Sequence, residues 1–432
     1  MQEIHWLRPH EITLRPQFMD REGMNAGDIM QGQLGDSWLL SAVSGIAATR
    51  ASALMGHLDP ANLKLLETEQ LASEQLKQAL KSGVYPGVFH YYARRGIYVF
   101  RFMKDNKWRY VTIDDKIPCG KDKKPLFAKS NTLKEFWISL FEKAYAKLHG
   151  NYYNINCGFA GEAIRDLSGY IPDKIDLQKL CDKSASKINT FWDKLVKTSQ
   201  TAMLCCSVQD SGKGDSKILK HNGVPSGLVV GHVYAILDVF SLKKPDGKGK
   251  SRLLRIRNPW GNTEWLGKWS DNSDELEKKK AEIDAHYKGI FKETYAKKFS
   301  IKVLSLERWN DKCDEDGTFL MCYKDWREVF THAYISENLF NKNEYQAIQF
   351  DHSWTVENSG GTPIKMNPTE CLSWARNPHA KLTVKGKGVE LFVCVSQEDP
   401  RIKEIPYAFD GVLHPICFVV QKCEEGSKTV TK

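Results

Sequence analysis

Residues able to perform acyl-transfer chemistry stand in three short segments of the chain. Ser37 lies in Gln31-Gly-Gln-Leu-Gly-Asp-Ser-Trp-Leu-Leu40 and directly precedes apolar residues whose spacing predicts a helix over about 37–48. His232 lies in one β-rich run, and Asn258 lies at the end of the next. A nucleophile at a helix N-terminus, a histidine base and a side chain that orients the imidazole are the parts of a nucleophilic hydrolase. The sequence therefore predicts one site formed by Ser37, His232 and Asn258.

Two further side chains could complete this site. Gln31 could donate its side-chain amide to an oxyanion, together with the backbone N–H of residue 37. Trp260, in Arg257-Asn-Pro-Trp-Gly261, could cover the His–Asn pair and exclude water. Each residue also has a plainer interpretation, because a lone strand histidine or tryptophan is more often part of a packed core and a lone glutamine is more often a surface amide.

The serine at position 37 limits the chemistry of this site. A cysteine, with a pKa of about 8.5, can become a thiolate near neutrality at a helix N-terminus beside an imidazolium. The helix terminus contributes at most about 2 kcal/mol, which is far too little to ionise a hydroxyl. Serine hydrolases instead use a Ser–His–Asp arrangement, whereas Asn258 is neutral. The sequence therefore predicts that the site is inactive as written.

The rest of the chain predicts the elements that hold this site. Helical spacing over 133–149 predicts a second helix, and the alternation of 87–115 around Asp105-Asn106 predicts a β-hairpin. Short β-rich runs predict an antiparallel sheet from Met203–Val208, Gly227–Phe240 and Ser251–Arg257. These patterns are typical of an α+β protein with a helical domain over 1–170, a sheet domain over 171–335 and a partial β-sandwich over 338–432.

Composition excludes several classes of protein. The net charge is +9, but Lys and Arg are spread along the chain and no nucleic-acid-binding module is recognisable, so no nucleic-acid partner is expected. The most apolar stretch, 227–240, is too short for a membrane span and contains His232 and Asp238. The eleven cysteines show no repeated spacing, and the N-terminus lacks a signal-peptide pattern. A cytoplasmic protein with reduced thiols is expected.

Several long segments, taken in order, resemble the calpain family of intracellular calcium-dependent cysteine peptidases. They are residues 31–40, Val111-Thr-Ile-Asp-Asp-Lys-Ile-Pro118, Glu135-Phe-Trp-Ile-Ser-Leu-Phe-Glu-Lys-Ala-Tyr-Ala-Lys-Leu-His-Gly150, Gly231-His-Val-Tyr234 and Arg257-Asn-Pro-Trp-Gly-Asn-Thr-Glu-Trp-Leu-Gly-Lys-Trp-Ser-Asp271. Weaker matches at Ser353-Trp354, Gly360-Gly361 and Trp374–Pro378 resemble the β-sandwich domain of that family.

The resemblance implies a two-lobed, papain-like protease core over about residues 1–335, followed by a partial β-sandwich. It assigns His232 as the general base, Asn258 as its orienting residue, Gln31 as the oxyanion donor and Trp260 as the shield. Position 37 departs from the family, because Ser37 stands where the nucleophilic cysteine is expected.

The resemblance also implies one calcium ion in each lobe, bound by the oxygen ligands that this hard cation prefers. The first-lobe site would use Asp28, Glu135 and the backbone of Arg21 and Gly23. The second-lobe site would use Glu264, Asp271, Asp316 and the backbone of Asp314. The plainer interpretation is that loop carboxylates such as these are simply solvated.

Two substitutions affect the calcium-dependent link that the resemblance implies between the lobes. Ala26 replaces a basic residue shortly before Asp28, and Thr318 replaces an acidic residue after Asp316-Gly317. In the family this basic and acidic pair joins the lobes when calcium binds. We therefore expect a weakened second site and a weakened interlobe switch.

Two functions fit these observations. The first is a catalytically inactive calpain homologue with a binding or regulatory role, which holds protein or peptide partners in the interlobe cleft. The alternative is a calcium-dependent intracellular cysteine endopeptidase, acting by limited proteolysis of cytosolic proteins, whose nucleophile has been changed to Ser37.

Overall fold

The computed structural model describes residues 3–18, 25–54, 95–132, 134–199, 202–210, 218–243, 249–294, 316–336, 348, 350–360, 376–384, 388–389, 391–396 and 399. The chain divides into two compact units. One unit comprises Met1–Asn338 and Glu398–Leu413, and the other comprises Leu339–Gln397 and His414–Lys432.

Helices and strands alternate irregularly along the first unit. The helices in the described residues are α1 (Pro9–Ile12), α2 (Ser37–Leu54), α3 (Trp137–Leu148), α4 (Ala160–Ser168), α5 (Leu177–Cys181), α6 (Ala185–Thr198), α7 (Asp274–Glu277), α8 (Lys280–Thr294) and α9 (Tyr323–Val329), with short 3-10 helices at Ala26–Asp28 and Tyr153–Ile155. The strands are β1 (His5–Leu7), β2 (Ile29–Met30), β3 (Ile97–Lys104), β4 (Lys107–Asp114), β5 (Ile117–Cys119), β6 (Lys129–Ser130), β7 (Asp173–Asp176), β8 (Met203–Val208), β9 (Ile218–His221), β10 (Val224–Val229), β11 (His232–Lys243), β12 (Lys250–Arg257), β13 (Thr318–Cys322) and β14 (His332–Ser336).

Helix α2 lies at the centre of the first hydrophobic core. Trp38, Leu39, Leu40 and Val43 are all buried, so this helix is apolar around its circumference near its start rather than on one face. Helix α3 adds its own apolar residues to the same core, as the helical spacing over 133–149 predicts. The two predicted helices are therefore present.

A six-stranded antiparallel sheet with the order β13-β12-β11-β8-β14-β7 forms the second part of the unit. Successive side chains in a strand point to opposite faces. In β8 this alternation sends Cys205 to the core around α2 and Cys206 to the core on the other face of the sheet. Burial raises the pKa of Cys205 to about 12 and holds the pKa of Cys206 well above its usual range, so both groups remain thiols.

The hairpin predicted around Asp105-Asn106 is formed by β3 and β4. Asp105 and Asn106 have φ values of 50° and 58°. Positive φ at both central residues is typical of a two-residue hairpin loop whose twist matches that of its strands.

Two regions differ from the sequence-based expectations or extend them. Helix α4 lies within the segment around 158–172, for which the sequence predicted only a change of pattern. In the segment 338–432, the residues that the structure describes contain no strand, and the partial β-sandwich stays a prediction. Among the described residues no helix combines the length and apolarity needed to cross a membrane.

Arg257, the last residue of β12, joins the sheet to the segment before α2. Its side chain is only 1% exposed, and its guanidinium donates hydrogen bonds to the carbonyl oxygens of Ile29 (2.8 Å) and Gly27 (3.1 Å). Burial lowers the pKa of Arg257 to about 10, which leaves it charged at neutrality. The arginine thus donates to two backbone carbonyls of the segment before α2, one of which, that of Gly27, also accepts from the Asn131 side chain at 3.2 Å.

We expect Arg257→Ala to lower the free energy of unfolding by about 3 kcal/mol, because it removes two charged hydrogen bonds and a buried side chain that joins the sheet to the segment before α2. Chemical denaturation followed by tryptophan fluorescence measures this loss. Arg252→Ala, in the same strand but partly exposed, is the matched control and should cost about 1 kcal/mol or less. Equal losses in the two variants would contradict the role assigned to Arg257.

Candidate active site

His232 and Asn258 are brought together by neighbouring strands. His232 begins β11, Asn258 directly follows β12, and these two strands pair antiparallel. The His232 Nε2 atom lies 2.8 Å from the Asn258 Oδ1 atom, and both side chains are buried. The pair that the sequence predicts is therefore in hydrogen-bond contact.

The orientation of the Asn258 amide fixes the tautomer of His232. Asn258 Nδ2 donates to the carbonyl oxygens of Asn262 and Thr263, each at 2.9 Å, so Oδ1 is the atom that faces the imidazole. Oδ1 is an acceptor only, and it also accepts from the Trp260 backbone N–H at 3.0 Å. Nε2 of His232 must therefore carry a proton, and in the neutral ring Nδ1 keeps the lone pair that a general base needs.

The environment of His232 favours its neutral form. Burial lowers the pKa of His232 to about 4, and the hydrogen bond with Asn258 only partly opposes this effect. Asn258 has no charge with which to stabilise an imidazolium. At neutral pH the imidazole is therefore uncharged.

Trp260 packs against the imidazole, as the sequence predicts. Its ring centroid lies 4.9 Å from that of His232, with the ring planes tilted by 56°. The tryptophan covers one side of the His–Asn pair and contributes to its burial.

Ser37 stands beside the strand that holds His232 but does not bond the imidazole. It is the first residue of α2, and its Oγ accepts a hydrogen bond from the backbone N–H of Val233 at 3.4 Å. One helical turn later, the Ser41 hydroxyl donates to the carbonyl oxygen of the same residue at 2.8 Å. Strand β12 begins to pair with β11 only at Ala235. The two serines therefore satisfy the backbone groups of Val233 from the helix side.

Gln31 lies next to the loop that follows Asn258. Its backbone N–H donates to the carbonyl oxygen of Pro259 at 2.7 Å, and its side-chain Nε2 donates to the carbonyl oxygen of Leu34. Its Oε1 is buried without a hydrogen-bond partner in the described residues. The Gln31 side chain, which the sequence predicts to donate to an oxyanion, thus donates to the carbonyl of Leu34 within the same loop. The second N–H of its amide has no hydrogen-bond partner in the described residues.

Carboxylates expected to bind the second calcium ion converge near the start of β13. Glu264 accepts a hydrogen bond from the Gly317 N–H at 2.7 Å, and burial together with Asp271 and Asp316 raises its pKa to about 8. Burial is also the main cause that raises the pKa of Asp271 to about 6. This all-oxygen donor set, in which like charges destabilise one another, fits a hard divalent cation. Asp314 lies outside the described residues.

The first-lobe carboxylates adjoin one segment, 130–132. The Asp28 carbonyl accepts a hydrogen bond from the Asn131 N–H at 3.0 Å, and Glu135 Oε2 accepts from the Ser130 hydroxyl at 2.7 Å. Both carboxylate side chains are buried. Arg21 and Gly23 lie outside the described residues. The side-chain donors present are again oxygens that suit calcium.

Sequence analysis missed the contribution of Arg257 to this region. The residue lies between Asn258 and the sheet, and it also binds Gly27 and Ile29, close to Asp28. A charged side chain at the end of an apolar strand, directly before the Asn-Pro-Trp motif, was the available signal. Its partners are backbone carbonyls, which no side-chain pattern reveals.

The comparisons with known proteins identify the family. Residues 1–337 match the family model described as calpain family cysteine protease. Calpain-A of Drosophila melanogaster is 32% identical over 369 residues, which cover 82% of this chain and 37% of that protein. Calpain-9 of Homo sapiens is 28% identical over 440 residues, which cover 99% of this chain and 53% of that protein.

A third relative, Calpain-5 of Caenorhabditis elegans, is 29% identical over 357 residues, covering 79% of this chain and 48% of that protein. The chain thus spans about half the length, or less, of the curated relatives it matches. Because the family match covers most of the sequence and includes the segments that carry Ser37, His232 and Asn258, this chain belongs to the calpain family of cysteine proteases.

Proposed function

We propose that this chain is a catalytically inactive calpain-type protein that binds protein or peptide segments beside Ser37 and His232. The observation that carries the proposal is the hydrogen bonding of Ser37. Its Oγ accepts from the Val233 N–H, and in the described residues no hydrogen bond joins it to the imidazole of His232, whose Nε2 faces Asn258. The Ser37 hydroxyl therefore accepts a hydrogen bond from the backbone of β11, and in the described residues it makes none with a general base.

The electrostatics of the site support the same conclusion. A serine nucleophile loses its proton to an imidazole as it attacks, so the imidazolium must be stabilised during the step. Here burial holds the pKa of His232 at about 4, and Asn258 offers no charge to oppose this. The proton transfer that serine requires is thus disfavoured.

A cavity beside Gln31 supports a binding role. It has a volume of about 780 Å³, and its lining includes Gln31, Gly32, Gln33, Lys124 and Leu126. Gly32 lies so close to the backbone of the segment 126–127 that a Cβ at this position would be 2.3 Å from the Phe127 carbonyl oxygen. A depression of this size next to the site could accept several residues of an extended peptide.

The alternative function is a calcium-dependent cysteine endopeptidase in which the nucleophile has been changed to serine. The intact arrangement of His232, Asn258 and Trp260 favours this alternative, because each still has the contact that its predicted role requires. The Nδ1 lone pair of His232 would be available to a thiol at position 37.

We also infer that the first unit has the two-lobed, papain-like arrangement, with lobes over 1–170 and 171–335. Two of the three hydrophobic cores in the described residues support it, one around α2 and α3 and one on the far face of the sheet. Calcium bound by Asp28 and Glu135 in the first lobe, and by Glu264, Asp271 and Asp316 in the second, would neutralise carboxylates that otherwise repel one another. A cytoplasmic location remains part of this proposal.

The central test measures cleavage of an unfolded protein substrate by the unchanged chain and by Ser37→Cys. Each protein is assayed with calcium and with a chelator. We expect no cleavage above background from the unchanged chain. If the remaining site is competent, Ser37→Cys will cleave, and adding His232→Ala should lower that rate by about 10³-fold, the typical contribution of a general base. Cleavage by the unchanged chain that disappears in Ser37→Ala would overturn the proposed inactivity.

Calcium binding should be measured by titration calorimetry at several pH values. Because a carboxylate must be deprotonated to bind the metal, and the pKa values of Glu264 and Asp271 are about 8 and about 6, calcium affinity should fall as the pH is lowered through this range. Glu264→Gln should weaken binding at the second site by about tenfold or more.

A matched control for this titration is Glu277→Gln, an exposed residue in α7, which should leave binding unchanged. A complete absence of calcium-dependent heat in the unchanged chain would remove both metal assignments. An affinity independent of pH would contradict the assignment to Glu264 and Asp271.

A further inference from the structure

We propose that Asp36 and Glu142 share one proton, and that this acid pair positions the amino end of α2, where residue 37 stands. Asp36 directly precedes α2, and Glu142 lies in α3. Asp36 is 0% exposed and Glu142 is 1% exposed, so neither carboxyl group can be solvated. The inference does not depend on whether the protein cleaves peptides.

The hydrogen bonding around Asp36 requires that either Asp36 or Glu142 carries a proton. Both oxygens of the Asp36 carboxyl group are buried, and no hydrogen bond from the amide, hydroxyl or amine of another residue reaches them in the described residues. The group that lies within hydrogen-bonding reach is the Glu142 carboxyl. Two ionised carboxylates are acceptors only, so a bond between them exists only if one carries a proton.

The charges around the pair lead to the same result. In the part of the chain that the structure describes, the titratable groups that interact with Asp36 and Glu142 are each other and Tyr152. Tyr152 is neutral, because burial and the two carboxyls raise the pKa of its phenol. No cation faces the pair in this region, so a doubly ionised pair would be buried without a counter-charge.

The position of each carboxyl indicates which one holds the proton. Asp36 stands at the positive end of α2, and its carbonyl oxygen accepts the first helical bonds from Leu39 and Leu40. A helix N-terminus favours a negative charge. Burial raises the pKa of both carboxyl groups, and their mutual interaction lowers the pKa of Asp36 while it raises that of Glu142, which places the shared proton on Glu142.

Glu142 is consequently the residue that joins three segments. Each of its carboxyl oxygens lies 3.0 Å from the Ala128 backbone nitrogen, and the neighbouring Ser139 hydroxyl donates to the Ala128 carbonyl at 2.6 Å. Leu126, two residues earlier, accepts from the Gln33 N–H at 2.9 Å. A protonated Glu142 can therefore accept from Ala128 while it donates to Asp36, which ties α3 and the segment 126–128 to the start of α2. Glu142 is thus a positioning residue.

Infrared spectroscopy of the full chain tests the shared proton directly. Between the ordinary carboxyl pKa and neutrality, the C=O stretch of a protonated carboxyl should be present, and Glu142→Gln should remove one such group from the difference spectrum. Glu277→Gln, at an exposed position, is the matched control and should remove none. A signal that is unchanged in Glu142→Gln would overturn the proposal.

Stability supplies a second readout, because glutamine imitates protonated glutamate. Its Nε2 can donate to Asp36 and its Oε1 can accept from Ala128, so Glu142→Gln should keep the melting temperature close to that of the unchanged chain, whereas Glu142→Ala should lower it clearly. Equal losses in Glu142→Gln and Glu142→Ala would show that a neutral amide cannot replace the native carboxyl group, and would contradict a protonated Glu142. If Glu142→Gln does not fold, Asp36→Asn offers the reciprocal donor and should also remove the infrared signal.

The pH dependence of stability should follow the same proton. The native pair holds a proton that unfolded carboxyls, with pKa values of about 4, release. The melting temperature of the unchanged chain should therefore fall as the pH rises above about 4, and the fall should be smaller in Glu142→Gln, which lacks the carboxyl group whose pKa burial and Asp36 raise well above its usual range. Identical pH profiles for the two proteins would contradict the shared proton.

Discussion

The contact between α2 and β11 is the constraint on which the rest of the structure depends. Both elements are buried where they meet, so every polar group at this junction needs a partner within the protein. Val233 receives its partners from Ser37 and Ser41, and His232 receives its partner from Asn258. The hydrogen bonds at the junction of α2 and β11 therefore also arrange the candidate site.

The sequence predicts an element of structure well where the spacing of apolar residues or the order of short motifs determines it. The two central helices, the antiparallel sheet, the hairpin at Asp105-Asn106 and the meeting of His232 with Asn258 follow from spacing and motif order. The sequence is silent on contacts that depend on the precise approach of backbones. The acceptance by Ser37 from Val233, the internal turn of Gln31 and the two carbonyls held by Arg257 belong to this class, because their partners are N–H and C=O groups common to nearly all residues.

Carboxyl groups in this molecule illustrate how burial and neighbours decide chemistry. Among the described residues no cation faces Asp36 and Glu142, so a proton is the available counter-charge. Glu264 and Asp271 are partly accessible to solvent, which the proposed exchange of a proton for a metal ion requires. The same residue types thus have different surroundings in the two regions.

The surroundings of Arg257 have a consequence for the local electrostatic potential. Glu264 and Asp271 lose their charges on passing from above pH 8 to below pH 6, while Arg257, with a pKa of about 10, keeps its own. In the absence of a bound cation, acidification therefore shifts the potential of this corner of the sheet in the positive direction. This corner of the sheet therefore attracts cations less strongly as the solution is acidified.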